Sequence, residues 1–151
     1  MKSMKIKVII GSLCIVLAVF IIMVISRKSL STNMEEYQIV NGKIQYDRGI
    51  KLLDSDLESA KRELETSYGL GFYKAAAPLG SYYLKKGELN NAEKYLQKAV
   101  DSIHLYNQKN QRIIYNELGI VLAKRNNING AKIFWQKAAI LGSKDAKANL
   151  K

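Results

Sequence analysis

The chain has 151 residues, 48% of them hydrophobic, and its 24 basic against 13 acidic side chains give a formal charge of +11. That length holds one compact domain. One His, one Cys and no phosphate loop or nucleophile motif leave no convergent groups for catalysis, and no metal or other cofactor is expected.

Residues 1–7 form a basic tail carrying Lys2, Lys5 and Lys7, and "VIIGSLCIVLAVFIIMVIS" follows from Val8 to Ser26, 19 residues without a charge. A helix rises about 1.5 Å per residue against a hydrocarbon core of roughly 30 Å, so 17 to 25 apolar residues cross a bilayer. Residues 8–26 therefore read as a single transmembrane helix. A cleaved leader has an apolar core of about 7 to 15 residues and a small-x-small cleavage site. This stretch is longer, and "SRKSLSTNM" after it has no A-x-A. Leu13 precedes Cys14 where a lipoprotein signal carries a small residue. The segment is expected to stay as an anchor, with Cys14 a small apolar residue in lipid. Three lysines before the span outnumber Arg27 and Lys28 after it. Positive charge is retained on the cytoplasmic side, which predicts a cytoplasmic amino terminus and a main body on the outer face.

Residues 27–36 read as a polar linker, and 37–151 as the folded body. Set apart from the amino-terminal lysines, the chain carries 21 basic against 13 acidic groups. Such a balance suits nucleic acid, anionic lipid or an acidic partner, but the cations fall at helical spacing among Glu, Asp, Asn and Gln and read as a solvated surface. Aromatic and basic residues do not interleave as a strand-binding face requires, so nucleic acid is not the expected partner.

Apolar residues recur at i, i+3, i+4 and i+7 along the body, and the class is all-α. The spacing predicts seven helices: Tyr37–Leu53, Asp56–Ser67 capped by Asp54 and Ser55, Phe72–Lys86 with its regular part starting near Lys74, Leu89–Tyr106, Gln111–Arg125, Ile128–Leu141, and a stub over Lys144–Lys151. Pro78 belongs in a first turn; Gly87 and Gly142 stop helices. His104 falls late in the fourth helix, where it can donate to a terminal carbonyl. The acidic pairs Glu63/Glu65 and Asp54/Asp56 read as solvated or capping groups.

"LGSYYLKKGELNNAEKYLQKA" (Leu79–Ala99) returns 39 positions later as "LGIVLAKRNNINGAKIFWQKA" (Leu118–Ala138), with eight identities in 21 positions. Each block is a helix, a tight turn and a helix. Gly80 and Gly119 let the second helix approach, Ala92 and Ala131 do the same from across, and Ala99 and Ala138 leave room for the next unit. Tyr83, Leu122, Leu96 and Trp135 fill the layers. One hairpin cannot bury its apolar face, so such units stack as a short solenoid.

These blocks resemble tetratricopeptide repeats, whose L-G-x-x-Y, A-x-x-x-F and A positions are filled by Leu79, Gly80, Tyr83, Ala92, Leu96 and Ala99, and again by Leu118, Gly119, Leu122, Ala131, Trp135 and Ala138. The close, "AKIFWQKAAILGSKDAKANL", is similar to the Sel1-like subclass in Trp135, Lys137, Ala138, Ala139, Gly142, Ala146 and Leu150. Tyr46–Ser67, with Gly49, Leu57, Ala60 and Leu64, is a degenerate third copy. The repeat-ending Pro is replaced by His104 and Ser143, and the 39-residue period places about five extra residues in the fourth helix or its loop.

The resemblance implies a groove that binds a peptide or protein rather than a small-molecule substrate. Carried over, its groove positions are Lys74, Ala77, Ser81, Leu84 and Lys85, then Ile113, Asn116, Ile120, Ala123 and Lys124. Glu117 stands where the family's carboxylate clamp carries Asn, so that clamp is not expected. A partner with acidic groups would suit Lys74, Lys85 and Lys124. The function expected is a membrane-anchored interaction module, a scaffold, assembly or secretion accessory factor. An immunity-type regulator that neutralises a toxin or enzyme at the membrane would show the same sequence features.

Overall fold

The computed structural model describes the backbone of residues 2–151 and the side chains of residues 17–151; the side chains of the basic tail and of the first half of the apolar stretch, Cys14 included, lie outside the described residues. Among the described residues the fold is all-helical, without strands. The α-helices are α1 (Lys2–Leu52), α2 (Leu57–Gly69), α3 (Ala76–Lys86), α4 (Leu89–Asp101), α5 (Gln108–Lys124), α6 (Ile128–Ile140) and α7 (Lys144–Asn149), with short 3-10 turns at Tyr73–Ala75 and Ile103–Leu105. The chain divides into two units, Met1–Gln38 and Ile39–Lys151.

Among the described residues, α1 is the one helix long and apolar enough to cross a membrane. Its Phe20, Ile22 and Ile25 are each more than 60% exposed, so no protein core covers them. The expectation of a separate helix from Tyr37 is corrected, because residues 27–36 are helical and belong to α1. Between Arg27 and Asn41 there is no Gly or Pro to break the backbone. The hydroxyls that could compete with it are turned back onto the helix, where Ser31 Oγ and Thr32 Oγ1 both donate to the Lys28 carbonyl at 2.9 Å.

The second unit is built from helix pairs. Gly49 of α1 meets Leu64 of α2, Gly80 of α3 meets Leu96 of α4, and Gly119 of α5 meets Trp135 of α6. A methyl group at these glycines would stand 2.7, 2.6 and 2.5 Å from the facing side chain, closer than carbon atoms can approach. One small-against-large contact thus recurs three times. The partner alanines Ala60, Ala92 and Ala131 are fully buried, as are Ser67, Ala99 and Ala138 about two turns farther on. Leu64, Leu79, Leu96, Leu118 and Ile114 form the centre of the core, each contributing about 1.5–3 kcal/mol through burial.

The 39-residue period extends to backbone hydrogen bonds. Glu88 N–H donates to Tyr83 O, and Asn127 N–H to Leu122 O, both at 2.9 Å. Gly87 and Asn126 hold the left-handed conformation between them, at φ 77° and 63°. Salt bridges fasten neighbouring layers: Lys86 to Glu58 at 3.0 Å and Arg125 to Glu93 at 2.8 Å.

Several helix ends differ from expectation. Asp56 itself caps α2, accepting from Ser59 N–H at 3.0 Å, so the helix proper begins at Leu57. Asn107 caps α5 by accepting from Asn110 N–H at 2.9 Å, so "NQKN" opens that helix instead of preceding it. The fourth helix stops at Asp101, five residues early, and His104 lies exposed in the following 3-10 turn. Helices α2 and α6 end through left-handed glycines, Gly71 at φ 86° and Gly142 at φ 90°, four residues past Ser67 and Ala138. At the same distance past Ala99 stands Ile103, a β-branched residue that avoids positive φ. The chain winds into a 3-10 turn there, and the extra residues of the period occupy this connection.

Candidate functional site

Helices α3 and α5 occupy equivalent places in successive repeats, so both present the same face of the helix to one side of the unit. Ala77, Ser81 and Leu84 project from α3, and Ile113, Asn116, Glu117 and Ile120 from α5. The space between them forms two neighbouring clefts that share Ile113 and Glu117. The larger, about 540 Å³, continues from Leu84 and Ile120 past Arg112 and Asn116 to residues 142–145 at the start of α7. The smaller, about 170 Å³, runs between Ala77, Pro78 and Ser81 on one wall and Asn110, Ile113 and Ile114 on the other, with Tyr46 and Ile50 of α1 and Tyr106 around it.

Of the groove residues carried over from the family pattern, Ala77, Ser81, Leu84, Ile113, Asn116 and Ile120 line these two clefts, and Ala123 lines neither. Lys74 lines a third, of about 240 Å³, with Lys43, Tyr46, Asp47, Phe72 and Tyr106. Lys85 and Lys124 are exposed in the last turns of α3 and α5 and line none of the three. The basic groups are therefore dispersed, while the shared part of the two clefts carries a carboxylate.

Glu117, noted in the sequence only as occupying the position where the family's clamp carries Asn, is the groove side chain that the carried-over pattern did not include. It follows Ile113 by four residues and precedes Ile120 by three, which puts it on the groove face of α5; that spacing was the available signal. Its Oε2 accepts a hydrogen bond from Ser81 Oγ at 2.5 Å. The Ala77 carbonyl, 3.2 Å from the same hydroxyl, is the longer, alternative acceptor for its single proton. Burial pushes the Glu117 carboxyl above the usual glutamate value, against the opposing pull of the Ser81 hydrogen bond and the Lys85 charge. Among the described residues no Lys or Arg nitrogen lies within 4.0 Å of it.

The remaining walls combine apolar and amide groups. Asn110 and Asn116 each offer a donor and an acceptor on either side of Ile113, the pair of functions that a peptide backbone needs. Asn116 Oδ1 accepts weakly from Asn149 Nδ2 at 3.4 Å, and Arg112 reaches the Gly142 carbonyl at 3.5 Å. Tyr106 is buried and anchored, its hydroxyl donating toward the Tyr73 and Lys74 carbonyls at 3.2 and 3.3 Å. Tyr46 is packed at an angle on Phe72, with centroids 5.3 Å apart. This arrangement can hold an elongated ligand through hydrogen bonds and apolar contact. Among the described residues it brings together no group of three or more metal-ligating side chains. No protein-family model matches the chain, and no curated protein matches it in sequence.

Proposed function

We propose that this chain is a membrane-anchored helical-repeat module of the tetratricopeptide kind, which binds an extended segment of a protein partner in the groove between α3 and α5. The observation that carries this reading is the continuity of the two clefts along α5, which share Ile113 and Glu117 and together run from Ala77 and Pro78 to residues 142–145 at the start of α7. The threefold glycine contact and the repeated turn hydrogen bonds support assignment to the repeat class. The apolar helix supports anchoring, and the lysine asymmetry across it supports an outward-facing repeat unit. An anchored binder searches in two dimensions, which raises the effective concentration of partners in the same membrane. The exposed Lys85 and Lys124 in the last turns of α3 and α5 would favour acidic groups outside the bound segment.

Site-specific photocrosslinking in intact membranes tests this reading. A crosslinker placed at Ile113 or Ile120 is expected to capture one dominant protein, while the same crosslinker at Lys132 or Ile140 on the far helix does not. Equal capture from all four positions would overturn the groove assignment. A topology reporter fused after Lys151 reads the membrane side directly.

A further inference from the structure

We propose that the smaller cleft between α3 and α5 receives a lysine or arginine side chain of the partner segment, with its cation on the Glu117 carboxylate. This rests on the groove reading above and names the chemistry that the groove selects. Three observations support it. Among the described residues lining that cleft, Glu117 carries the one formal charge; the others are Tyr, Asn, Ser, Pro and aliphatic side chains. The carboxylate is half-answered, because Oε2 accepts from the neutral Ser81 hydroxyl while no hydrogen bond to Oε1 is found among the described residues. A partly buried carboxylate without a cation keeps the desolvation cost of its charge, and an incoming cation offsets it.

The walls fit the same guest. The methylene stem of a lysine or arginine packs on apolar surface while its head seeks charge. Ile50, Ala77, Pro78 and Ile113 supply that surface, with Tyr46 and Tyr106 completing the lining. Lys85 acts on Glu117 through its charge yet stays outside ion-pair distance, so the place beside the carboxylate is open to a cation from the partner. The larger cleft shares Glu117 and leads away from it, giving the flanking residues of an extended chain somewhere to lie.

The test uses the full chain in detergent micelles, panned against a phage-displayed library of random dodecapeptides. Enriched sequences are expected to share a Lys or Arg at one register position. Replacing that residue with norleucine in a synthetic peptide is expected to weaken binding to the wild-type chain roughly tenfold, as loss of one partner from a desolvated charge pair does. The same replacement is expected to change binding to Glu117→Gln by less than about twofold. Glu117→Asp, which keeps the charge and withdraws it by one methylene, is expected to fall between. A neutral or acidic consensus, or a norleucine penalty that persists undiminished in Glu117→Gln, overturns the cation assignment and leaves groove binding standing. Peptides whose binding is untouched by Ile113→Asp and Ile120→Asp, or no enrichment at all, overturn both.

Discussion

Trp135 has its indole edge against the bare backbone of Gly119, and its Nε1 is the buried side-chain polar atom that finds no partner among the described residues. Leu96, at the equivalent place one repeat earlier, fills the same role without a donor. The indole is therefore retained for its bulk, and its orphaned N–H costs stability. Trp135→Phe is expected to cost less than about 1.5 kcal/mol, whereas Trp135→Ala, which leaves a cavity, costs roughly 3–5 kcal/mol; urea denaturation separates the two. Gly119→Ala and Gly80→Ala are each expected to destabilise by about 1–3 kcal/mol through overpacking. A rigid ring blocks the first, and the Cγ and backbone nitrogen of Leu96 block the second. An unchanged denaturation midpoint for Gly119→Ala would contradict the close-approach account.

Glu117 gives a pH-dependent signature of the opposite sense from a salt-bridged acid. Its folded-state pKa is raised above the ordinary 4.5, so between those values the folded chain holds more protons than the unfolded one. Stability from this group is present below pH 4.5 and is lost as pH rises through the raised value. The groups around it are Ser81 and Lys85 of α3, Tyr46 and Tyr106 in the smaller cleft, and Arg112, Lys144 and Asp145 in the larger. Glu117→Gln is accordingly expected to melt at a higher temperature than wild type at pH 7, with the gain vanishing toward pH 4. Asp56 and Glu58 run the other way, their carboxyls lowered by hydrogen bonds from Ser59 and from Tyr82. Their contributions are present above the usual carboxylate values and fade as pH falls, and both persist in the variant.

Among the helices, boundaries follow from side chains that satisfy the free amides of the first turn. Asn107, Asn127 and Ser143 accept from Asn110, Gly130 and Ala146 N–H at 2.9, 2.9 and 3.1 Å, starting α5, α6 and α7. Asn107→Ala is expected to cost about 0.5–2 kcal/mol and to raise hydrogen exchange in the first turn of α5 without disturbing α6. The contrasting ends of α2, α4 and α6 come from one position: glycine at 71 and 142 permits a left-handed stop, and Ile103 does not. Tyr106, which expectation placed in the fourth helix, leaves it to fill space beneath Tyr73 and Lys74.

For the molecule as a whole, the apolar helix and the repeat unit obey different rules. The unit from Ile39 to Lys151 buries its leucines against its own alanines and glycines, while Phe20, Ile21 and Ile22 have no such cover. The chain is expected to remain with membranes through alkaline carbonate washing. Leu17→Arg, at the centre of residues 8–26 and at a cost of about 2.5–3.5 kcal/mol for a cation at the middle of a span, is expected to release a substantial fraction. Full retention of that variant would argue against lipid insertion at this position.

Periodicity and tandem similarity were enough to establish an all-helical chain, its repeated hairpins, the glycine and alanine contacts within them, and an apolar segment of spanning length. Those properties depend on local spacing along one helix, which a linear pattern records. The absorption of residues 27–36 into α1, the early stop of α4 and the union of Ser81 with Glu117 across 36 residues emerged only with the packed helices. Each depends on what stands opposite in space: a carbonyl within reach of a hydroxyl, a void for Tyr106, or a neighbouring helix that removes water from a carboxylate.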